Sequence, residues 1–360
     1  MPNHRWCIKP LNRSLAGCAD QWDELNRHIT AGHPLLDSRY LDPLLRHFGD
    51  GSEHLCLLEK GGKAQGACIL KPAKAGIWTG FFPPLATLGP TILADSRHLS
   101  RLAADLPGLA ARIDFLGQDP DFSPPFDAWP MPCRRHGHAL TIRIALAGGF
   151  DTYWQGRSKK LRETLRGRDN RVAKAGLVPR LVRLDRPEDL PAALERFAEL
   201  EWSGWKGREG SAIGRGNAQG LFYREMLENF AWTGEAMAYE LWLGDRLAAS
   251  QLAIASRHMT VAMKIAYDET LAAFSPGRLL LREFIRDCFA RQPGGTLEGY
   301  THATDDLLAW ATHERWIEHI CLYRSQTARQ VIAAVQAVRS LALGIAQKSA
   351  VARPRLRSGA

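Results

Sequence analysis

FSPGRLLLREFI, residues 274–285, sets a Pro-Gly pair directly ahead of apolar residues at helical spacing. Pro276 stands where a first helical turn would begin, and Leu279, Leu280, Leu281, Phe284 and Ile285 follow it. Two readings fit. In one, Ser275 is an N-cap and Pro276 the first helical residue, both common in those places. In the other, Gly277 omits a side chain so that an anion can approach the free N–H groups of the first turn. The preceding MTVAMKIAY, residues 259–267, reads as a strand. A strand running into a helix N-terminus presents unpaired N–H groups that can cradle a pyrophosphate without side chains.

Outward from that stretch, strand and helix signals alternate on both sides. Upstream, AMAYELWLGDRLAASQLAIAS (236–256) reads as a hairpin turning at Gly244-Asp245, and LFYREMLENFAWTG (221–234) as a helix. GREGSAIGRGNAQG (207–220) is a long polar, glycine-rich loop. PEDLPAALERFAELEWSGW (187–205) reads as a helix opened by Pro187, and VPRLVRL (178–184) as a strand. Downstream come TLEGYTH (296–302) as a strand, DDLLAWATHE (305–314) as a short helix and RWIEHICLY (315–323) as a last strand. Residues 1–147 follow the same grammar. HPLLDSRYLDPLLRHFG (33–49) and LSRLAADLPGLAAR (99–112) read as helices. HLCLLEKGGKAQGACILKPAK (54–74) reads as a hairpin through Gly61-Gly62, and RIDFLG (112–117) and HALTIRIAL (138–146) as strands. The pattern predicts an α+β or α/β fold, with mixed sheets flanked by helices. It divides as 1–147 and 148–330, with 331–360 as an amphipathic helix and basic disordered tail.

At 360 residues two domains are expected. No stretch approaches the ~18 continuous apolar residues of a membrane helix; VIAAVQAVRSLALGIA (331–346) is interrupted by Gln336 and Arg339. MPNHRWCIKPLNRS, residues 1–14, has no apolar core of the secretory type. The seven cysteines are scattered without a CxxC pair, which supports neither a zinc site nor a disulfide framework. The expectation is a cytoplasmic, reduced protein without a metal. The net charge of +9 is concentrated rather than spread. RSKKLRETLRGRDNRVAK (157–174) holds eight Lys or Arg against Glu163 and Asp169. Trp154, Leu161, Leu165 and Val172 form one helical stripe there, and the basic residues occupy the other sides. That helix is either a solvated face or a clamp for phosphates or an anionic partner.

WSGWKGREGSAI (202–213) and MKIAYDETLAAFSPGRLLL (263–281) resemble the two signature blocks of CelD-like acyltransferases of the GNAT superfamily. The similarity covers roughly residues 150–325 and is weaker over 30–145. It implies two tandem GNAT-like (acyl-CoA N-acyltransferase) halves, as in Fem-type transferases, with an acetyl-CoA or other acyl-CoA donor bound by the second. It also implies acyl transfer to a small-molecule or polysaccharide-precursor acceptor, often beside envelope biosynthesis. Where relatives carry an Asp-Ser-x-Ala stretch and then His and Trp, this chain reads LEGYTHATDDLLAW (297–310), a departure where a catalytic group could sit.

Acyl transfer from a thioester needs a phosphate cradle, a donor to the carbonyl, a base for the acceptor and an acid for the thiolate. Ser275, Pro276, Gly277, Arg278 and Leu279 are the candidates for the cradle. Trp205, Lys206, Lys264 and Asp268 are candidates for substrate contacts, each also readable as packing, helix-end charge or turn. Glu298, Tyr300 and His302 alternate along one predicted strand and supply candidates for acid and base. Two rival functions stand beside this one: an aminoacyl-tRNA-dependent transferase of the Fem type, and a non-catalytic binding protein of the same fold. Aromatic residues are sparse along the basic helix, which argues against specific nucleic-acid recognition.

Overall fold

The computed structural model describes residues 4–125, 131–204, 213–214 and 216–335. Its strands are β1 (Arg5–Pro10), β2 (His54–Lys60), β3 (Lys63–Lys74), β4 (Ile77–Gly80), β5 (Thr91–Leu93), β6 (Arg112–Gln118) and β7 (Cys133–Ala145). They continue with β8 (Pro179–Leu184), β9 (Ala236–Leu243), β10 (Arg246–Ala255), β11 (Met259–Tyr267), β12 (Thr296–Gly299) and β13 (His313–Tyr323). All lie in one mixed sheet of order β1-β2-β3-β4-β6-β13-β7-β12-β11-β10-β9-β8, with β5 paired to β3 off this path. Most neighbours are antiparallel; β4 with β6 and β11 with β12 are parallel.

The two halves of the chain are joined through this sheet by an exchange of strands. β7 precedes the second half in sequence, yet it pairs with β12, a strand of that half. β13 is the last strand of the second half, yet it pairs with β6 of the first as well as with β7. Each half is therefore extended by the last strand of the other.

Helices cover both faces because strands such as β2 bury side chains of both parities. Leu55 and Leu57 enter one core cluster and Cys56 and Leu58 another. On the first face the helices Ser38–Phe48 and Ala218–Ala231, one from each half, pack together, with Tyr40 edge-on to Phe222 at 5.5 Å. Asp37 caps the first by accepting from the Arg39 N–H, and Asn217 caps the second by accepting from the Gly220 N–H. On the opposite face of the second half lie the helices Phe150–Gln155, Lys159–Lys174 and Pro276–Arg291. Leu161, Leu165 and Val172 are buried there, so the apolar stripe of the basic helix faces the core as its spacing predicts. Full burial of a leucine or phenylalanine contributes about 2–3 kcal/mol, so helices with several such residues are fixed by packing rather than by propensity.

The hairpin through Gly61-Gly62 forms as predicted, both glycines at positive φ (58° and 77°). Other expectations need correction. The predicted strand 296–302 stops at Gly299: the Thr301 N–H turns back to the Gly299 carbonyl (2.7 Å) and takes the chain off the sheet. His302 thus lies outside the strand. β7 begins at Cys133 and β13 at His313, because each finds a partner from the far end of the chain. The short helix is limited to Asp305–Leu308, capped by Thr304. The helix predicted to open at Pro187 starts at Leu190. β1, β4, β5 and the helix Ala19–Ile29 were not foreseen from periodicity.

Candidate active site

The parallel ladder between β11 and β12 covers only Met259–Val261 against Thr296–Glu298. Beyond it β11 runs on to Tyr267, and among the described residues nothing pairs with that edge. A 3-10 helix, Glu269–Phe274, then leads into the helix Pro276–Arg291. The opening holds a pocket of about 340 Å³ lined by Ile265 and Tyr267 of β11, by Ser275, Pro276, Gly277 and Arg278 of the turn, and by Asp306.

The turn differs from an ordinary capped start. Ser275 occupies the N-cap position with φ 53° and ψ 55°, and its side chain makes no cap hydrogen bond. A left-handed conformation at a non-glycine residue is sparsely populated and costs about 1–3 kcal/mol. The Arg278 and Leu279 N–H groups both donate to the Ser275 carbonyl (3.1 and 3.2 Å). That leaves the Gly277 N–H as the first-turn donor without a partner among the described residues. Gly277 has no steric reason to be glycine: a Cβ there would meet Tyr267 and Ile265 no closer than 3.5 Å, ordinary contact, and its φ is not positive. Glycine in a helix is unfavourable by roughly 1 kcal/mol relative to alanine. Open space over its N–H is what it adds.

The other cradle candidates are placed differently. Leu279 is buried in the core, so only its backbone faces the turn. Arg278 forms an ion pair with Asp306, Nε donating at 2.9 Å, so its charge is balanced within the pocket wall. Lys264 points away from this turn into the first-face core, where it donates to Glu201 (2.6 Å) and lies over the Tyr223 ring. Glu201 also accepts from the Ile213 N–H (2.9 Å). Asp268 caps the 3-10 helix through the Thr270 N–H and pairs with Arg246. Burial opposes its ionisation, but the Thr270 and Arg246 contacts outweigh that and lower its pKa. Trp205 and Lys206 lie outside the described residues.

Glu298 and Tyr300 are brought together in a buried polar network at the junction of the two halves. Glu298, fully buried, receives Arg143 Nε and Arg315 Nη2 (2.9 Å to the latter). Arg315 also donates to both oxygens of Asp119 (2.8 and 2.6 Å). The Tyr300 hydroxyl donates to Asp119 (2.8 Å) and accepts from Arg315 (3.0 Å). It lies 2.7 Å from His33 Nε2, while the Leu35 N–H donates to His33 Nδ1 (3.2 Å). That pattern puts the imidazole proton on Nε2, donating to Tyr300. Burial lowers the His33 pKa to about 3, so the ring is neutral at pH 7. Burial, with the adjacent Asp119, raises the Tyr300 pKa. Asp119 is also buried, yet Arg315 lowers its pKa below the usual carboxylate range.

His302 does not join this network. It is exposed and lies near His138, which stacks on His319 with ring centroids 4.3 Å apart. Burial followed by the neighbouring His138 and His136 lowers the His319 pKa to about 4. Sequence reasoning missed His33, Asp119, Arg143 and Arg315, whose partners lie 15 to 267 positions away. It also missed Asp306. Among the described residues no group of three or more His, Cys, Asp or Glu is arranged to hold a metal ion, and no helix is long and apolar enough to cross a membrane.

Residues 159–300 match the family model of the acetyltransferase (GNAT) domain. That segment contains the basic helix, β8–β12 and the turn at Ser275–Leu279. No curated protein matches the chain. Among solved structures, FemX is similar over 87% of this chain and 98% of its own, with a TM-score of 0.60 and 11% identity. A conserved protein of unknown function from Bacteroides thetaiotaomicron is similar over 75% of this chain and 86% of its own, with a TM-score of 0.52 and 11% identity. The chain therefore has the GNAT fold, with mixed strands flanked by helices, and residues 159–300 are the part that is similar to the acetyltransferase (GNAT) domain.

Proposed function

We propose that the protein is a GNAT-type N- or O-acyltransferase that takes its acyl group from acetyl-CoA or another acyl-CoA. The donor binds in the second half, residues 148–330, with its pyrophosphate at the turn Ser275–Leu279. The observation that carries this reading is the unpaired edge of β11 beside a pocket of about 340 Å³ bordered by that turn. An extended pantetheine can hydrogen-bond to an open strand edge as a further strand would, and the phosphates then meet the Gly277 N–H and the positive end of the helix dipole. In this reading residues 1–147 lack such a turn and serve the acceptor side, and 331–360 lie outside both halves.

The acceptor amine or hydroxyl attacks the thioester carbonyl, its proton passes to a base, and the thiolate leaves with a proton. Of the three candidates Glu298 is already held by two guanidinium groups, Arg143 and Arg315, inside the buried network. Tyr300 keeps its proton and can act only as a donor. His302, exposed beside the junction of the halves, is the remaining base. The acceptor is a small molecule or a polysaccharide or envelope precursor handled in the cytoplasm.

Ligand-induced melting with CoA tests the donor assignment. A clear upward shift in Tm with CoA supports it. Stabilisation by aminoacyl-tRNA and none by CoA would move the assignment to a Fem-type donor, and a response to neither would leave a binding protein of the same fold. Once an acceptor is found, His302→Ala should lower turnover by about 10²–10⁴-fold with CoA affinity retained. Glu298→Gln should cost stability first.

A further inference from the structure

We propose that Arg168 and Arg171, on the basic helix Lys159–Lys174, bind the phosphate-bearing end of the donor nucleotide; this rests on the acyl-CoA reading above. Both side chains reach the same backbone oxygen, each Nη1 donating to the Ala273 carbonyl at 2.9 Å. Ala273 lies two residues before Ser275, and its neighbour Ala272 lines the pocket. Sharing one acceptor holds the two guanidinium groups within about 8 Å of each other, inside one Debye length at physiological salt. Neither has a carboxylate within ion-pair distance among the described residues. The one acid between them, Asp169, pairs with Arg282 instead. Arg168 Nε is also buried without a partner.

Like charges brought together on a neutral oxygen, with donors left over and no counter-ion, make a site that gains when an anion arrives. The placement also answers where the positive charge for the donor comes from. Arg278, the cation inside the pocket, is already balanced by Asp306. The basic helix supplies uncompensated charge at the rim of the same turn, while its apolar stripe of Leu161, Leu165 and Val172 fixes it to the core. Coenzyme A fits this division: a neutral pantetheine for the strand edge and phosphates for the arginines.

Calorimetric titration of the full chain with CoA, dephospho-CoA and pantetheine tests the proposal, using Arg168→Gln, Arg171→Gln and the Lys variant of each. The wild type should bind CoA at least tenfold more tightly than pantetheine. Each Gln variant should weaken CoA by about tenfold, a loss of 1.4 kcal/mol, leave pantetheine affinity and Tm unchanged, and be partly rescued by Lys. If only CoA suffers in the variants and dephospho-CoA does not, the arginines read the 3′-phosphate; if both suffer, they read the pyrophosphate. Equal loss of CoA and pantetheine would mean that the arginines merely brace the turn and would overturn the proposal, as would unchanged CoA binding. Wild-type protein that binds no CoA would instead refute the donor reading itself, and this assignment with it.

Discussion

Replacing Tyr300 by phenylalanine removes one oxygen and leaves the ring, so it isolates the network that joins the two halves. That oxygen serves three partners: His33 at 2.7 Å, Asp119 at 2.8 Å and Arg315 at 3.0 Å. Arg315 retains Asp119 and Glu298, and Asp119 retains its bonds from Arg315. The His33 Nε2 proton loses the only acceptor it has among the described residues, in a fully buried place. A buried donor left unsatisfied costs about 1–3 kcal/mol, and the aromatic ring leaves no cavity to add to it. The expected loss is thus about 2–3 kcal/mol. Urea unfolding followed by tryptophan fluorescence measures it, and the slope with denaturant should stay unchanged. A double-mutant cycle with His33→Ala should show coupling above about 1 kcal/mol, since the two side chains touch. A loss under about 0.5 kcal/mol, or no coupling, would refute the network as the bond between the halves.

The remaining expectations concern pH, the buried lysine and the glycine. His33 has a folded pKa of about 3, below its unfolded value, so the unfolded chain binds the extra proton. Its contribution is intact above pH 6.5 and is lost as pH falls toward 3, by up to about 1.4 kcal/mol per pH unit. His319, lowered to about 4, acts with the same sign. Urea midpoints between pH 7.5 and 4.5 should therefore fall with acid, and less steeply in His33→Gln. Lys264→Met removes the ammonium group that faces the buried Glu201 carboxylate and should destabilise by about 3 kcal/mol, with Glu201→Gln in the same chain recovering part of that by the same unfolding assay. Gly277→Ala should leave Tm unchanged or slightly raised in a thermal melt, because its Cβ meets only ordinary contacts.

Much of the second half was legible because its signals are local. The strand 259–267, the turn at Pro276-Gly277 and the helix after it were visible as alternation, a breaker and a 3.6-residue stripe, and the structure has all three. The basic helix was legible for the same reason. Tyr300 and Glu298 were singled out as polar residues on a short strand, but their partners were not. His33 read only as the entrance of a helix, and Asp119 and Arg315 carried no local pattern. What unites them is the exchange of β7 and β13 between the halves, a long-range pairing that no window of ten residues records. The early end of β12 has a similar cause. Tyr300 and His302 keep the alternation of a strand, while a tertiary hydrogen-bond network takes the first and solvent the second.

In the proposed function, the turn Ser275–Leu279 of the second half holds the phosphates of an acyl-CoA donor. Gly277→Val is the sharpest test, since it adds bulk at the residue whose N–H has no partner among the described residues, while the added Cβ meets only Tyr267 and Ile265 side chains at 3.5 Å or more. Titration of wild type and variant with CoA, beside their far-UV circular dichroism, is the measurement. Binding by the wild type, a loss of at least tenfold in the variant and superimposable spectra are expected. CoA binding that survives Gly277→Val undiminished would contradict it.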